Sequence, residues 1–401
     1  MDRPTVAVAD IVRRWGDQYR REAGPLPLAQ QRVLTALVQC RTAALGGHVE
    51  QCDRCDHTRV WYNSCRNRHC PTCQSLARAQ WIEQREAEIL DTEYFHVVFT
   101  VPAAIASIAS LNKAVVYGLL FRVAADTLRT IAADPKHLGA ELGFFAVLHT
   151  WGQQLQHHPH LHCVVAGGGL SPDGARWVAC RPGFFLPVRV LSRLFRRRFL
   201  TALQAAFDTG SLRLVGTLAE LAERPAFVRH LAQARSTEWV VYAKRPFAGP
   251  RQVLDYVGRY THRVAISNHR LIDMADDQVR FRWKDYRAEA QPKTMTLAAT
   301  EFLRRFLLHV LPAGFQRIRY YGLLGNRHRT EKLARCRHLL AMPPRPVAEA
   351  PASTTPVVLD YRDRVEALTG VSLRVCPICK DGHMVAINAP ASVALGATDT
   401  S

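Results

Sequence analysis

Residues 157–169 read His-His-Pro-His-Leu-His-Cys-Val-Val-Ala-Gly-Gly-Gly, and the stretch from His160 to Ala166 predicts a strand that ends at the glycines. Side chains two positions apart share one face of a strand, so His160 and His162 point the same way while Leu161 enters the core. Two imidazoles so placed can bind a divalent ion and leave positions open for substrate oxygens. A packed or surface histidine cluster is the alternative interpretation. His158 has the same parity, but Pro159 is expected to interrupt the strand there.

Aromatic and β-branched runs elsewhere predict the strands that surround this one. A short polar loop joins the run Phe144–Thr150 to the histidine strand. Further strands are predicted at 94–101, at 239–243 and, around a turn at Asp276-Asp277, within 264–283. Helical periodicity is found at 27–45, 76–90, 110–133, 187–207, 251–260 and 300–310. The expected class is α+β, a mostly antiparallel sheet with flanking helices and the histidines on central strands.

The length of 401 residues predicts two or three domains. We expect a small zinc-binding helical and knuckle domain for DNA recognition in residues 1–90. A catalytic domain with basic helices should follow in 91–342. A Pro/Ala/Thr-rich linker is predicted at 343–356, and a C-terminal segment with a Cys-x2-Cys pair and a disordered tail at 357–401.

The net charge of +19 predicts a polyanionic partner, because Lys and Arg displace counterions from nucleic-acid phosphates. Arginine usage in a GC-rich genome is the alternative, but clusters at 193–198, 280–287 and 317–337 favour a directed surface. The sequence shows no apolar run of about 18 residues and no signal-peptide pattern, which predicts a cytoplasmic protein that does not enter a membrane.

Two Cys-x2-Cys pairs, Cys52/Cys55 and Cys70/Cys73, predict one closed, structural zinc site with four thiolate ligands. Cys65 and His69 in the same segment are candidates for an additional zinc ligand or for a DNA contact. The neighbouring arginines Arg66 and Arg68 are predicted to contact DNA. The pair Cys376/Cys379 has the form of half of another metal site, and the sequence leaves its role open.

Tyr256 and Tyr260 are four residues apart, so on a helix they share one face and can reach one phosphate. A phenol is a weak nucleophile near neutral pH, and a cation on the phosphate would activate the reaction. Packing of two helix tyrosines on a sheet is the alternative. Arg259, His262 and Arg263 flank them as predicted phosphate contacts.

Four segments together resemble a known family: Ser64–Cys73, His149–Gly152, His158–Cys163 and Tyr256–Arg263. In this order, from about residue 15 to about residue 340, the chain is similar to the rolling-circle transposases of bacterial insertion sequences of the ninety-one type. These belong to the superfamily of histidine-hydrophobic-histidine single-strand endonucleases. Some relatives keep one tyrosine, whereas this chain has both.

The resemblance implies a transposase that nicks single-stranded or hairpin ends of a mobile element and forms a 5′-phosphotyrosine. His160 and His162 would hold Mg²⁺ or Mn²⁺, with His149 as the first candidate for the third ligand and Gln154 as the second. No ATP is required, since the sequence contains no Gly-x4-Gly-Lys-Ser/Thr loop. Which tyrosine attacks first, the target sequence and the oligomeric state stay open.

Three other functions compete with this interpretation. A rolling-circle replication initiator or a conjugative relaxase would use the same chemistry in another setting. A zinc-dependent DNA-binding regulator would bind without catalysis. A hydrolytic metalloenzyme would use the histidines and not Tyr256 or Tyr260.

Overall fold

A six-stranded sheet lies at the centre of the computed structural model, which describes residues 5–86, 88–244, 252, 258, 265–343, 362–363, 365–366 and 370–387. The strands of these residues are β1 Gly47–Cys52, β2 Thr58–Tyr62, β3 Tyr94–Thr100, β4 Glu141–Trp151, β5 His157–Leu170, β6 Trp177–Ala179, β7 Val241–Lys244, β8 Leu271–Ala275, β9 Gln278–Asp285, β10 Gln291–Ala298, β11 Ile318–Gly322 and β12 Met384–Ile387. The helices are α1 Val8–Ala23, α2 Leu28–Gln39, α3 Gln74–Glu86, α4 Ala103–Leu111, α5 Lys113–Ala133, α6 Val188–Asp208, α7 Arg224–Ser236, α8 Ala299–Leu308 and α9 Arg329–Leu339.

The central sheet has the strand order β11-β4-β5-β3-β7, with β6 paired to β5, and its pairs are antiparallel. The histidine strand β5 therefore lies between β4 and β3. This confirms the predicted α+β class and the central position of the histidine strand. Long-range pairing of β3 with β5 was not evident from local patterns, because more than fifty residues separate them.

Alternate residues of β5 point to the two faces of this sheet. Leu161, Cys163 and Val165 enter the larger core, which contains residues of α4, α5, α6 and α7. Val164 enters a smaller core with Trp81 of α3 and with residues of α9. His160 and His162 have the parity of Val164 and so lie on this second side, called the histidine face below.

Strand β5 begins at His157, so the predicted break at Pro159 is wrong. The ladder between β4 and β5 is irregular between His149 and Trp151, opposite the proline. A bulge at this place accommodates a residue that has no N–H to donate. The predicted helix 110–133 corresponds to α5, and its first two residues belong to the end of α4. Asn112 separates the two helices, and its side chain bonds the carbonyl oxygen of Ile108 and the backbone of Arg213.

A second core joins the N-terminal helices to the sheet β10-β9-β8 and to α8. Trp15 of α1 donates its indole N–H to Asp277 Oδ1 at 2.7 Å, and Val8 N donates to Asn268 Oδ1 at 3.1 Å. The amphipathic helix α1 buries its apolar side here. The predicted boundary at residue 90 therefore does not separate the N-terminal helices from residues 265–310.

The C-terminal segment docks on the N-terminal hairpin in a third sheet of order β12-β1-β2. Val49 of β1 pairs with Ile387 of β12, and Cys52 pairs with Met384. Residues 370–387 thus add strand β12 to the sheet that the hairpin of the first 90 residues forms, and they are not a separate unit. Most of the predicted linker and the predicted tail beyond Asn388 lie outside the described residues.

Candidate functional site

Three histidines converge on the histidine face. His149, His160 and His162 each offer a ring nitrogen, and these atoms lie within 4.8 Å of one another. Antiparallel pairing places His149 of β4 directly opposite His160 of β5, so the cluster follows from register. His149, the first candidate for the third ligand, is therefore in place. Gln154, the second candidate, lies in the turn between the strands.

Hydrogen bonds orient two of these rings. His160 donates its Nδ1–H to the carbonyl oxygen of His158 at 2.7 Å, which leaves Nε2 with its lone pair. Nδ1 of His162 lies 2.7 Å from Nε2 of His96 on β3. Outer partners of this kind are typical of metal-binding histidines, because they fix the tautomer that presents the other nitrogen.

The surroundings of His160 favour its uncharged form. Burial, with smaller contributions from His158 and His96, lowers the pKa of His160 to about 4. His149 is buried and stacks on Trp151, with ring centroids 4.5 Å apart. Neutral rings present lone pairs to a cation without proton release, so the residues fit a divalent metal ion.

The predicted nucleophiles Tyr256 and Tyr260 lie outside the described residues, as do Arg259, His262 and Arg263. Gly258, between the tyrosines in sequence, is described and is buried. A Cβ added to Gly258 would lie 2.4 Å from Cδ1 of Ile82 on α3. The neighbouring Trp81 packs edge-on against Phe145, with centroids 5.5 Å apart. Gly258 therefore lies on the same side of the sheet as the histidines.

The structure does not bring the four predicted zinc cysteines to one point. Cys70 and Cys73 meet Cys40 and Cys65, whereas Cys52 and Cys55 meet Cys376 and Cys379. The physical reason is that the two turns lie on different elements. One turn is at the start of α3 beside the end of α2, and the other is at the tip of the β1–β2 hairpin beside the C-terminal segment. The spacing of two residues correctly predicts which cysteines pair on one turn, but it does not predict which cysteines complete each metal site.

The first of these groups, the helix cluster (Cys40, Cys65, Cys70 and Cys73), has the dimensions of a tetrathiolate site. Sγ of Cys40 lies 3.7 Å from that of Cys70 and 3.6 Å from that of Cys73, which is 3.6 Å from that of Cys65. Tetrahedral Zn–S bonds of about 2.3 Å place sulfurs roughly 3.8 Å apart. Cys65, a predicted additional ligand, belongs to it. Cys40 was not predicted, because it has no partner cysteine two residues away.

Arg68 is half-buried and bonded within the protein, contrary to its predicted DNA contact, and His69 is buried, which disfavours the DNA contact that was one alternative for it. Arg68 donates to the carbonyl oxygens of Pro312 at 2.8 Å and Phe315 at 2.6 Å. His69 is buried and accepts the N–H of Leu311 at 3.2 Å, and burial lowers its pKa to about 3. His69 is also outside the helix cluster. Arg66 is exposed and stays a candidate contact.

Basic strand β9 lies beside the turn that joins the two histidine strands. The N–H of Lys284 donates to Oε1 of Gln153 at 3.4 Å, and Arg305 donates to the carbonyl oxygen of Gln154 at 3.1 Å. Arg282 and Lys284 alternate with inward residues and are exposed. In contrast, the arginines of 193–198 lie on α6, which packs against the opposite face of the sheet.

Among the residues that the structure describes, no helix is long and apolar enough to cross a membrane.

Comparisons with known proteins agree with these features. Residues 143–332 match a family model described as "Putative transposase", and residues 11–101 match one described as "Transposase zinc-binding domain". The chain is 66% identical over 388 residues to "Putative transposase y4qJ" of Sinorhizobium fredii (strain NBRC 101917 / NGR234), covering 96% of each chain. It is 29% identical over 312 residues to "Transposase for insertion sequence element IS801" of Pseudomonas savastanoi pv. phaseolicola, covering 76% of this chain and 73% of the relative.

Among solved structures, one match is to the conjugative relaxase TrwC in complex with oriT DNA. The identity is 14%, and the match covers 64% of this chain and 95% of that one. The TM-score is 0.24, too low to support a conclusion about the fold.

Proposed function

Since the chain belongs to the family of insertion-sequence transposases with the ninety-one-type zinc-binding domain, we propose that it nicks and rejoins single-stranded DNA through a 5′-phosphotyrosine. This chemistry would drive rolling-circle transposition of its element. The observation that carries the proposal is the convergence of His149, His160 and His162 on the side of the sheet that is covered by α3, the helix against which Gly258 packs. Gly258 is two residues from both predicted nucleophiles.

In the proposed reaction the phenol oxygen of Tyr256 or Tyr260 attacks the scissile phosphorus. A phosphorus–oxygen bond to tyrosine forms, and the bond to the 3′-oxygen breaks. The phenolic proton passes to solvent, and the departing oxygen takes a proton to become a 3′-hydroxyl that can prime synthesis. The second tyrosine cuts another strand before the first link is resolved. The phosphotyrosine conserves the bond energy, so ATP is not needed.

The three imidazoles would hold the metal through one nitrogen each. When bound, a divalent ion polarises the scissile phosphate and stabilises the departing oxygen. The proposed ion is Mg²⁺ or Mn²⁺. Mg²⁺ demands a near-ideal octahedral shell and gives up its waters reluctantly, so Mn²⁺ is the ion chosen for the tests.

The described residues also support a path for DNA. Arg282 and Lys284 are exposed on the strand that abuts the 152–156 turn, and His149 and His160 lie at the strand ends that this turn connects. A strand bound at the histidines would thus meet these two cations. The exposed Arg66 is a further contact in this proposal.

Covalent capture of DNA tests the proposal. Single-stranded oligonucleotides carrying the ends of the encoding element should give a protease-sensitive adduct that Mn²⁺ supports and EDTA abolishes. Replacing both tyrosines (Tyr256→Phe with Tyr260→Phe) should eliminate the adduct. Replacing His160 and His162 by Ala should eliminate it while DNA binding persists.

Each alternative predicts a different result. DNA binding without any adduct in the wild type would favour a zinc-dependent regulator. Metal-dependent cleavage that survives the double Phe variant would favour a hydrolytic metalloenzyme. Adducts on replication or transfer origins but not on the element's ends would favour an initiator or a relaxase.

A further inference from the structure

Cys52, Cys55, Cys376 and Cys379 form a group that joins the two ends of the chain, here called the clasp. Cys52 is the last residue of β1, and Cys55 lies in the turn at the tip of the β1–β2 hairpin. Cys376 and Cys379 precede β12. The family model for the zinc-binding domain covers residues 11–101 and so includes only the first two. The other two are more than 300 residues away in sequence.

The sulfur positions match a metal site. Sγ of Cys52 lies 3.6 Å from that of Cys379, and Sγ of Cys55 lies 3.6 Å from that of Cys376. These separations are close to the roughly 3.8 Å expected for tetrahedral Zn–S bonds. They are far beyond the roughly 2.05 Å of a disulfide, and the group contains four sulfurs instead of two.

Backbone N–H groups around the clasp donate hydrogen bonds to two of its sulfurs. The N–H of Arg54 donates to Sγ of Cys52 at 3.4 Å, and the N–H of Gly382 donates to Sγ of Cys379 at 3.3 Å. Both bonds stabilise negative charge on sulfur. A Cβ on Gly382 would lie 2.4 Å from Sγ of Cys52, so only glycine leaves the space that this sulfur occupies.

Contacts that need no metal hold both halves of the clasp in register. Four residue pairs connect β1 to β12. The buried carboxylate of Glu50 on β1 accepts bonds from Arg59 at 2.8 Å and from Arg362 at 2.6 Å. Arg59 also donates to the carbonyl oxygen of Leu373 at 3.0 Å. Backbone pairing and ion pairs therefore hold the C-terminal residues on the hairpin in addition to the four sulfurs.

We propose that the clasp binds a second structural zinc ion, separate from the ion of the helix cluster, and that this ion fastens residues 370–387 to the N-terminal hairpin. Four thiolates close the coordination shell, so the site has a structural role. Because the ligands come from distant parts of the chain, loss of zinc would loosen the C-terminal strand on β1, where backbone pairing and the Glu50 ion pairs would still hold it in part.

Metal content tests this proposal without reference to DNA cleavage. Full-length protein should carry two zinc ions per chain at its cysteines by native mass spectrometry and elemental analysis, after any ion at the histidines is subtracted by comparison with a variant that has Ala at His160 and His162. Replacing Cys376 and Cys379 by Ser should reduce the content to one ion. The matched control Cys180→Ser removes a thiol that belongs to neither group, and it should retain two ions.

Two further variants separate loss of the site from general misfolding. Cys379→His keeps a zinc ligand and should retain two ions. Gly382→Ala keeps all eleven cysteines but crowds Cys52, so it should lose one ion while the helix cluster stays loaded. Amide hydrogen exchange of residues 370–387 should rise in Gly382→Ala and in the double Ser variant, and not in the control.

Three results would overturn the proposal. The first is a wild-type content of one ion that persists in the double Ser variant. The second is retention of two ions in that variant. The third is a chain without zinc at the clasp whose mass is lower by two or four hydrogens, because the sulfurs would then form disulfides.

Discussion

Nε2 of His96 lies 2.7 Å from Nδ1 of His162, and the two rings are parallel to within 4°. For Nε2 of His162 to bind a metal, its proton must be on Nδ1. That N–H then donates to a bare Nε2 of His96, which carries its own proton on Nδ1. His96 thus acts as a positioning residue for a candidate metal ligand, and it is buried among the strands of the central sheet.

Replacement of His96 tests this role. His96→Leu removes the acceptor and should weaken Mn²⁺ binding by about 10–100-fold, the usual cost of losing an outer partner. His96→Gln offers a side-chain oxygen to the same N–H and should recover most of the affinity. Mn²⁺ titration followed by electron paramagnetic resonance measures both. Wild-type affinity in His96→Leu would show that His162 does not depend on this bond.

The contact between Gly258 and Ile82 predicts how the tyrosine segment is positioned. Gly258→Ala places a methyl group against Cδ1 and Cγ1 of Ile82, at 2.4 and 2.6 Å. Since alanine favours helix over glycine, a loss of function must come from displacement. Adduct formation should fall by up to about 100-fold, as for misplaced reacting groups.

A second substitution should restore the geometry. Ile82→Ala removes the clashing atoms, so the double variant should form adduct at nearly the rate of Ile82→Ala alone. Gly118→Ala on α5 is the matched control, because its Cβ would meet nothing within 4 Å. If Gly258→Ala forms adduct at the wild-type rate, packing against α3 does not position the nucleophiles.

The sequence of β5 alone is sufficient to predict that His160 and His162 share one face of the sheet. Side chains alternate between the two faces along any strand, so this prediction needs no knowledge of the partner strands. Pro159 misled the prediction of where β5 begins, since tolerance of a proline depends on the partner strand and its bulge. His96 lay inside a predicted strand, but its proximity to His162 requires the β3–β5 pairing. That pairing is set by long-range packing and is not encoded in the period of either strand.

The cysteines show the same limit. Two residues between cysteines place both thiols on one turn, so the pairs were recognisable. The remaining ligands lie outside these turns. In one site they are the nearby Cys65 and the distant Cys40, and in the other they are the distant C-terminal pair. The DNA contact predicted for Arg68, and the one that was an alternative for His69, failed for a related reason. Nothing local indicates that backbone carbonyls at 312–315 lie close enough to hold the half-buried guanidinium of Arg68.

Cys40 should be required for the helix cluster. Cys40→Ser leaves three thiolates and should lower the zinc content by one ion per chain, with a clear decrease in thermal stability because structural zinc contributes directly to folding. Cys40→His should keep the ion. Unchanged zinc content in Cys40→Ser would mean that the metal uses another ligand.

The buried carboxylate of Glu50 should make the stability of the folded protein depend on pH in the acid range. Burial would raise the pKa of Glu50, but bonds from Arg59 and Trp61 and the charge of Arg362 outweigh it and lower the pKa. A depressed folded-state pKa contributes stability above the unfolded value of about 4.5, and this contribution is lost as the pH falls through the folded value.

The variant Glu50→Gln should therefore be less stable than the wild type by about 1–3 kcal/mol near pH 7, because it leaves two partly buried arginines without their carboxylate. The difference should shrink as the pH falls below about 4.5, where the carboxylate of the unfolded wild type takes up a proton, until the pH reaches the lower pKa of the folded state. Protonation of the thiolates affects both proteins and cancels in the comparison. Denaturant unfolding across this pH range measures the difference, and a constant difference would contradict the ionised state of Glu50.

Salt dependence of DNA binding should distinguish surface cations from structural ones. Arg282→Ala and Lys284→Ala each remove one proposed phosphate contact, so each should lower the slope of log K against log salt by about 0.7 for single-stranded DNA. Arg197→Ala, exposed on α6 across the sheet, should leave the slope unchanged.

Arg68→Ala should also keep the slope but lower the melting temperature, because Arg68 binds the carbonyl oxygens of Pro312 and Phe315 instead of DNA. Binding isotherms at several salt concentrations with one oligonucleotide provide the comparison. A reduced slope in Arg197→Ala with no change in Arg282→Ala would place the DNA on the opposite face of the sheet from the histidines, and it would contradict the proposed path.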